Sequence, residues 1–317
     1  MRVVLVGGLG FLGAALSERL AGQGWRVVVA ARRSSAQRRP RLASYLRGLG
    51  VELALAPGGI DAGFLEGLGG DVYYHLAGRI RGSRGMWEAH ARLAAVVVEA
   101  ASRLGSRVVY VSSVRTPGRI LGAGRCSRVV EEEPHLDHAR VRPETPYERS
   151  KAEGERIVAS YRGPWAILRP GLLVGRWGYH TEWRLTALAS KLRLAPSLPC
   201  VPVTPVSGLA SMLAGAGEGR YDGLWVNALA CTCDLSRVTL EACKRLTGGG
   251  CRRIPVAPLL GLAGRLSSEA TPPRELWVMA RRGYRYESRH PQPPWPSPEE
   301  AAAEWASWLK WWGSLSL

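Results

Sequence analysis

Lysine is almost missing from this chain: only Lys151, Lys191, Lys244 and Lys310 stand among 43 Lys plus Arg in 317 residues. Asparagine is scarcer still, with Asn227 its single copy, and glutamine is nearly as rare. Loss of thermolabile amides from a charge-rich chain is the composition expected of a thermophilic source. Acid is short as well, since 26 acidic residues against 43 basic ones leave a net charge of +17. Such an excess suits an anionic ligand or surface. The arginines, however, run through every segment, and no finger, basic-region helix or RNA-binding aromatic motif accompanies them. A generally cationic surface is the expectation, with no nucleic-acid partner. No apolar stretch approaches the ~20 residues of a membrane span. Met1 leads directly into Val3-Val4-Leu5-Val6 without a charged leader or a cleavage site. No membrane span is expected, and the cytoplasm is the expected location. The six cysteines include no Cys-x-x-Cys pair and no interleaved histidines, so no structural zinc site or other metal is expected. Disulfides remain compatible with a hyperthermophile cytosol, and Cys243 with Cys251 is a candidate pair that sequence does not decide.

What is present is the make-up of a globular protein, 46% hydrophobic and 22% charged, with length for one large domain or two. Residues 2 to 31 read as strand, glycine loop, helix, strand. Arg2 to Val6 is a short β-branched run suited to a buried parallel strand. Gly7-Gly8-Leu9-Gly10-Phe11-Leu12-Gly13 follows, then a helical stretch from Ala14 to Ala21 and a second apolar strand from Trp25 to Ala30. Glycines at 7, 10 and 13 permit a tight turn and a close approach of backbone to a pyrophosphate, while the helix start offers free N–H groups and its positive dipole end. An acidic residue at the end of the second strand would bind the ribose 2′-hydroxyl of NAD. Here the strand ends in Ala30-Ala31-Arg32-Arg33-Ser34. Alanine accepts no hydrogen bond there, and the guanidiniums of Arg32 and Arg33 suit a 2′-phosphate. NADP is therefore the preferred cofactor, with NAD as the alternative.

One of the few lysines lies four residues after a tyrosine in Tyr147-Glu148-Arg149-Ser150-Lys151. Positions i and i+4 share a helix face. A cation beside the phenol favours the phenolate and brings Tyr147 toward use as an acid or base near neutral pH. Arginine, broader and never deprotonated, does not replace lysine in such a place. Further along come Asp71 to Gly78, a strand ending at small residues, a helix from Trp87 to Leu104, and a strand from Arg107 to Val111 ending in Ser112-Ser113. Alternation of strands and helices implies an α/β fold with a doubly wound parallel sheet and ligands outside the carboxyl ends of its strands.

Taken together, Gly7-x-x-Gly10-x-x-Gly13, His75-Leu76-Ala77, Ser112-Ser113, Tyr147-x-x-x-Lys151 and Arg169-Pro170-Gly171 resemble the extended short-chain dehydrogenase/reductase superfamily, in its NAD-dependent epimerase/dehydratase branch. The resemblance covers roughly residues 1 to 175. It implies a Rossmann domain over residues 1–170 and a smaller α/β substrate domain over 171–317, with some interleaving. It implies cofactor contacts at Gly7, Gly10, Phe11, Leu12, Gly13, Leu76, Ala77, Tyr147, Lys151 and Pro170, alongside Arg32 and Arg33. Tyr147 would be the acid/base on the substrate oxygen, Ser113 would hydrogen-bond that oxygen, and Lys151 would hold the nicotinamide ribose. The expected activity is epimerase, dehydratase or reductase chemistry on a nucleotide sugar or another carbonyl or secondary-alcohol compound. A catalytically silent NAD(P)H-binding accessory subunit of the same superfamily is the rival.

Departures from the family pattern are specific. His90 stands where an asparagine is usual, Asp61 follows Gly58-Gly59 two residues late, and Thr116-Pro117-Gly118 replaces the usual segment after the serine. In the second half, Val203 to Ala210 reads as the family's return segment. Leu224 to Asn227 with Thr239 to Leu246 reads as the small domain's strand and helix. Lys191, Arg193, Arg252, Arg253, Arg281 and Arg282 are candidates for a substrate diphosphate, with exposed solvated charge as the default for each. Ser297-Pro298-Glu299-Glu300 opens a final helix as cap, proline and returning acid. Its stripe of Trp305, Trp308, Leu309 and Trp312 is expected to pack on the body or on a partner subunit, the latter giving a homodimer.

Overall fold

In a computed structural model, residues 1–79, 83–131, 140–179, 181–259, 278 and 283–312 are described. Seven strands make one parallel sheet: β1 (Arg2–Val6), β2 (Arg26–Arg32), β3 (Glu52–Ala56), β4 (Val72–His75), β5 (Arg107–Val111), β6 (Trp165–Pro170) and β7 (Trp225–Ala228). Their order across the sheet is β7-β6-β5-β4-β1-β2-β3. The order reverses beside β1, and a ligand crevice opens at such a reversal, outside the carboxyl ends of the strands. Alternating side chains divide between two apolar layers. Val3, Leu5, Val27 and Val29 enter one core, while Val4, Val6, Val28 and Ala30 enter the other. Near-continuous apolar runs are what a sheet buried on both faces requires.

The helices that matter for the site are α1 (Phe11–Gly22), α2 (Leu93–Leu104), α3 (Pro146–Ala159), α4 (Val206–Gly217) and α5 (Pro298–Trp311). The long helix expected from Trp87 is broken. A short helix, Ser83–Trp87, passes through a π-helical turn, Glu88–Arg92, before α2 begins. That turn carries His90.

The segment Leu224 to Asn227, read in sequence as part of the small domain, instead supplies β7 at the edge of the large sheet. It pairs in parallel with β6, Trp225 opposite Ile167 and Ala228 opposite Pro170. The Trp165 and Trp225 rings meet edge-on with centroids 4.7 Å apart. Val226, Asn227 and Ala228 are buried there, so this strand is part of the interleaving of the second half with the first. Smaller sheets occupy the second half: Leu172–Val174 with Val201–Pro205 and Cys231–Cys233, and Leu194–Ser197 with Arg252–Pro255.

Two disulfides are present. Cys243–Cys251 is the pair that sequence suggested, and Cys126–Cys200 was not foreseen. Cys231 and Cys233 are thiols with sulfurs 2.6 Å apart. The capping box at Ser297 forms as expected. The tryptophan stripe of α5 packs on the body: Trp305 donates its Nε1–H to the Gly178 carbonyl at 2.8 Å, and Trp308 lies 5.7 Å from the Trp177 ring. Among the described residues no helix is long and apolar enough to cross a membrane.

Candidate active site

The glycine loop is shaped by contacts that exclude side chains. Gly7 has φ +94°, and a Cβ there would sit 2.7 Å from the Ala77 nitrogen. At Gly13 a Cβ would fall 2.4 Å from the Gly8 Cα, so helix and loop touch backbone to backbone. Gly10 differs: a Cβ would meet only the Gly7 carbonyl, at 3.2 Å, which leaves the space before the loop open to a ligand. Gly10 is also the N-cap of α1 and brings no side-chain oxygen to it. The first-turn N–H groups of a helix lack intrahelical partners. Diphosphate oxygens are suited to them, and these residues fit the expected dinucleotide.

The other candidates lie on the same edge of the sheet. Register sets Val6 beside Ala30 and His75, and Val111 beside Leu168. Gly7, Arg32, Leu76, Ala77, Ser113 and Pro170 thereby follow or end neighbouring strands. Arg32 and Arg33 are exposed at the end of β2, while Leu76 and Ala77 are half-buried. Phe11 and Leu12 are buried in the first turn of α1. Asp61, considered for adenine, is the N-cap of Ala62–Leu68 and accepts the Phe64 N–H at 2.8 Å.

Helix α3 fixes Tyr147 and Lys151. Thr145 and Glu148 form a complete capping box, with Pro146 in the first turn, so the helix start is set by local chemistry alone. Deeper, Glu155 and Arg169 make a bidentate ion pair with both side chains fully buried (Oε1 to Nε 2.8 Å, Oε2 to NH2 2.5 Å). That pair ties α3 to the end of β6, next to Pro170. Lys151 turns inward: its Nζ donates to the Val111 carbonyl at 2.8 Å and lies 5.0 Å from the centre of the Tyr110 ring. Burial pulls its pKa down to about 7, against a smaller upward pull from Glu155.

His90, in place of the usual asparagine, joins three parts of the site. Its Nδ1 bonds Ser150 Oγ at 2.8 Å, its Nε2 accepts the Arg79 N–H at 3.1 Å, and its ring stands edge-on to Tyr147 at 5.4 Å. Accepting at Nε2 makes Nδ1 the donor, and Ser150 passes a hydrogen bond to the Tyr147 carbonyl at 3.0 Å. Burial, then the Lys151 charge, drives the imidazole far below its ordinary range, so it is neutral. Ser113 follows β5, and its Oγ accepts the Arg115 backbone N–H at 3.2 Å, a turn-capping bond that leaves its own proton to donate.

Two arginines escaped the sequence reading. Arg115 holds its guanidinium 5.5 Å from the centre of the Tyr147 ring and bonds Glu148 at 3.4 Å. Arg39 donates to the Leu9 carbonyl in the glycine loop and lies 4.7 Å from the Tyr179 ring centre. Arginine is so common here that neither stood out, although Arg115 is two residues past Ser113. Of the arginines and lysine considered for a substrate diphosphate, Arg193 bonds the Gly249 carbonyl and Arg253 pairs with Asp234. Lys191 and Arg252 are exposed. Arg281 and Arg282 lie outside the described residues.

A seven-stranded parallel sheet with this order and a glycine loop closed on Ala77 is the frame of an enzyme of the extended short-chain dehydrogenase/reductase type. The chain belongs to the NAD dependent epimerase/dehydratase family, whose sequence profile matches residues 3–230. No curated protein matches the chain by sequence. Solved structures share its fold. WbmH of Bordetella bronchiseptica, in complex with NAD+, has a TM-score of 0.69 at 15% identity, over 99% of both chains. A mutant UDP-glucuronic acid 4-epimerase of Bacillus cereus, bound to UDP-4-deoxy-4-fluoro-glucuronic acid and NAD, has 0.71 at 14%, over 99% of this chain and 100% of that one. UDP-glucose 4-epimerase of Thermotoga maritima, with UDP-glucose, has 0.70 at 15%, over 97% and 98%. At these identities the likeness is one of fold.

Proposed function

We propose that this enzyme is an NAD(P)-dependent epimerase, dehydratase or reductase acting on a nucleotide sugar or a related carbonyl or secondary-alcohol compound, with Tyr147 as its acid/base. The observation that carries the reading is the capped start of α3, which presents Tyr147 beside the Ser113–Arg115 turn while Lys151 is anchored at the end of β5. A dinucleotide whose diphosphate is held at the glycine loop would supply a hydride acceptor or donor in its nicotinamide. Tyr147 moves the matching proton at the substrate oxygen, and the Ser113 hydroxyl donates to the same oxygen as charge develops there. Lys151 offers N–H donors to a ribose. Gly7, Gly10, Phe11, Leu12 and Gly13 meet the diphosphate, Leu76, Ala77 and Pro170 line the cofactor's path, and Arg32 with Arg33 favour a 2′-phosphate. Residues 1–170 carry the cofactor in this reading and 171–317 the substrate, with Val206–Gly217 and Trp225–Ala228 returning to the first unit.

One set of measurements tests it. Fluorescence titration should give tighter binding of NADPH than NADH, and Arg32→Ala should remove the difference. A wild-type preference for NADH would refute the NADP assignment. With a panel of sugar nucleotides and small carbonyls, Tyr147→Phe should lose at least ~10²-fold in turnover while cofactor affinity is kept. Cofactor binding without any turnover by the wild type would replace this reading with the silent accessory subunit.

A further inference from the structure

Acid/base work at Tyr147 is helped by positive charge near its phenol, and among the described residues several neighbouring groups carry none. His90 is neutral for the reasons given. His75, fully buried and edge-on to Tyr110 at 5.0 Å, is pulled to about 3 by burial and by Lys151. Tyr110 is pushed well above the ordinary phenol value by burial, with Glu155 and Tyr147 adding to the shift, and stays protonated. Lys151 is only partly charged near neutral pH. Glu148, the next residue along α3, is an acid paired with Arg115. The helix N-terminus adds a small positive potential. Among the described residues Arg115, from the turn after β5, is a cation at the Tyr147 ring, and a guanidinium in a protein does not give up its proton.

Arg115 is also held in place. Its backbone N–H is bonded to Ser113, its guanidinium pairs with Glu148 at 3.4 Å, and its side chain is only 15% exposed. A cation 5.5 Å from the centre of an aromatic ring is within range to stabilise the ionised phenol. We propose that Arg115 supplies the standing positive charge that keeps the Tyr147 phenol acidic, and that Glu148 sets how much of that charge reaches the ring. The proposal rests on Tyr147 being the acid/base. Arg115 acts through Tyr147 and is a positioning residue.

The ionisation of Tyr147 is readable without substrate or cofactor. The ultraviolet absorbance of tyrosinate is titrated in the wild type and in Tyr147→Phe, and the difference isolates this one phenol. The same pair of curves is then taken with Arg115→Gln, Arg115→Lys and Glu148→Gln. Arg115→Gln should raise the Tyr147 midpoint by ~1 pH unit, and Arg115→Lys should restore most of the shift. Glu148→Gln keeps the capping box, because glutamine serves there as well as glutamate, and should lower the midpoint. A structural disturbance would move the arginine-to-glutamine and glutamate-to-glutamine variants the same way, whereas charge moves them in opposite directions. An unchanged midpoint in Arg115→Gln, or shifts of one sign in both, overturns the proposal. Turnover by Tyr147→Phe tests the catalytic reading separately, so failure of either can be told apart.

Discussion

Lys151 is costly to keep where it is. Its ammonium has left water for the space between Val111 and Tyr110, with one hydrogen bond among the described residues, to the Val111 carbonyl. The unfolded lysine holds its proton up to the ordinary value of 10.5, and the native one only to about 7. Between those values unfolding takes up a proton, so this residue makes stability rise with pH across that window. Below about 7 the full penalty of burying the charge is present, and above 10.5 it is gone. Lys151→Met should therefore be more stable than the wild type near neutral pH, by on the order of 3 kcal/mol, while losing activity. Thermal unfolding of both proteins across this pH range checks it. A gap that does not narrow toward high pH would mean that packing rather than charge separates them. Scarcity had singled out this lysine in the sequence, but its inward turn depends on the carbonyl of a strand 40 residues earlier, which no local pattern records.

Helix α3 is the element on which the site depends, and it is held at both ends by different chemistry. Its start was legible, because Thr145, Pro146 and Glu148 cap the chain within one turn. Its depth was not. No local pattern sets Glu155 apart from the other acids of the helix, yet the fold buries it against Arg169 with no exposed surface on either. Breaking such a pair strands a charge, whereas replacing both partners with apolar groups need not. Glu155→Ala alone should cost about 3–5 kcal/mol in denaturant unfolding, and Glu155→Leu combined with Arg169→Met should recover most of it. If the double variant is as unstable as the single, the loss lies in packing between α3 and β6. The π-helical turn at Glu88–Arg92 was equally hidden. Its residues have ordinary helical periodicity, and the extra residue in the turn accompanies the hydrogen bonds of His90 to Arg79 and Ser150 and its ring contact with Tyr147.

At the scale of the whole molecule, the first half could be read because each βα unit announces itself in apolar runs and glycines, while the second half depends on long-range closure. β7 joins a sheet whose other six strands end at residue 170, across 55 residues of chain. Cys126–Cys200 is of the same kind. It links the turn region after β5 to the start of Val201–Pro205, over a separation of 74 residues. Cys243–Cys251 closes only 8. A crosslink stabilises mainly by restricting the unfolded chain, and the effect grows slowly with loop length. The long link should be worth about 4 kcal/mol and the short one about 2.5 kcal/mol in that account. The longer bond also braces a recess that Cys200 lines together with Arg115, Glu148, Tyr284 and Tyr286. The Cys126→Ser, Cys200→Ser double variant should therefore melt lower than the Cys243→Ser, Cys251→Ser double variant. Reductant should lower the melting temperature of the wild type by more than that of either variant. Equal losses from the two bonds would show that loop length is not what governs their contribution.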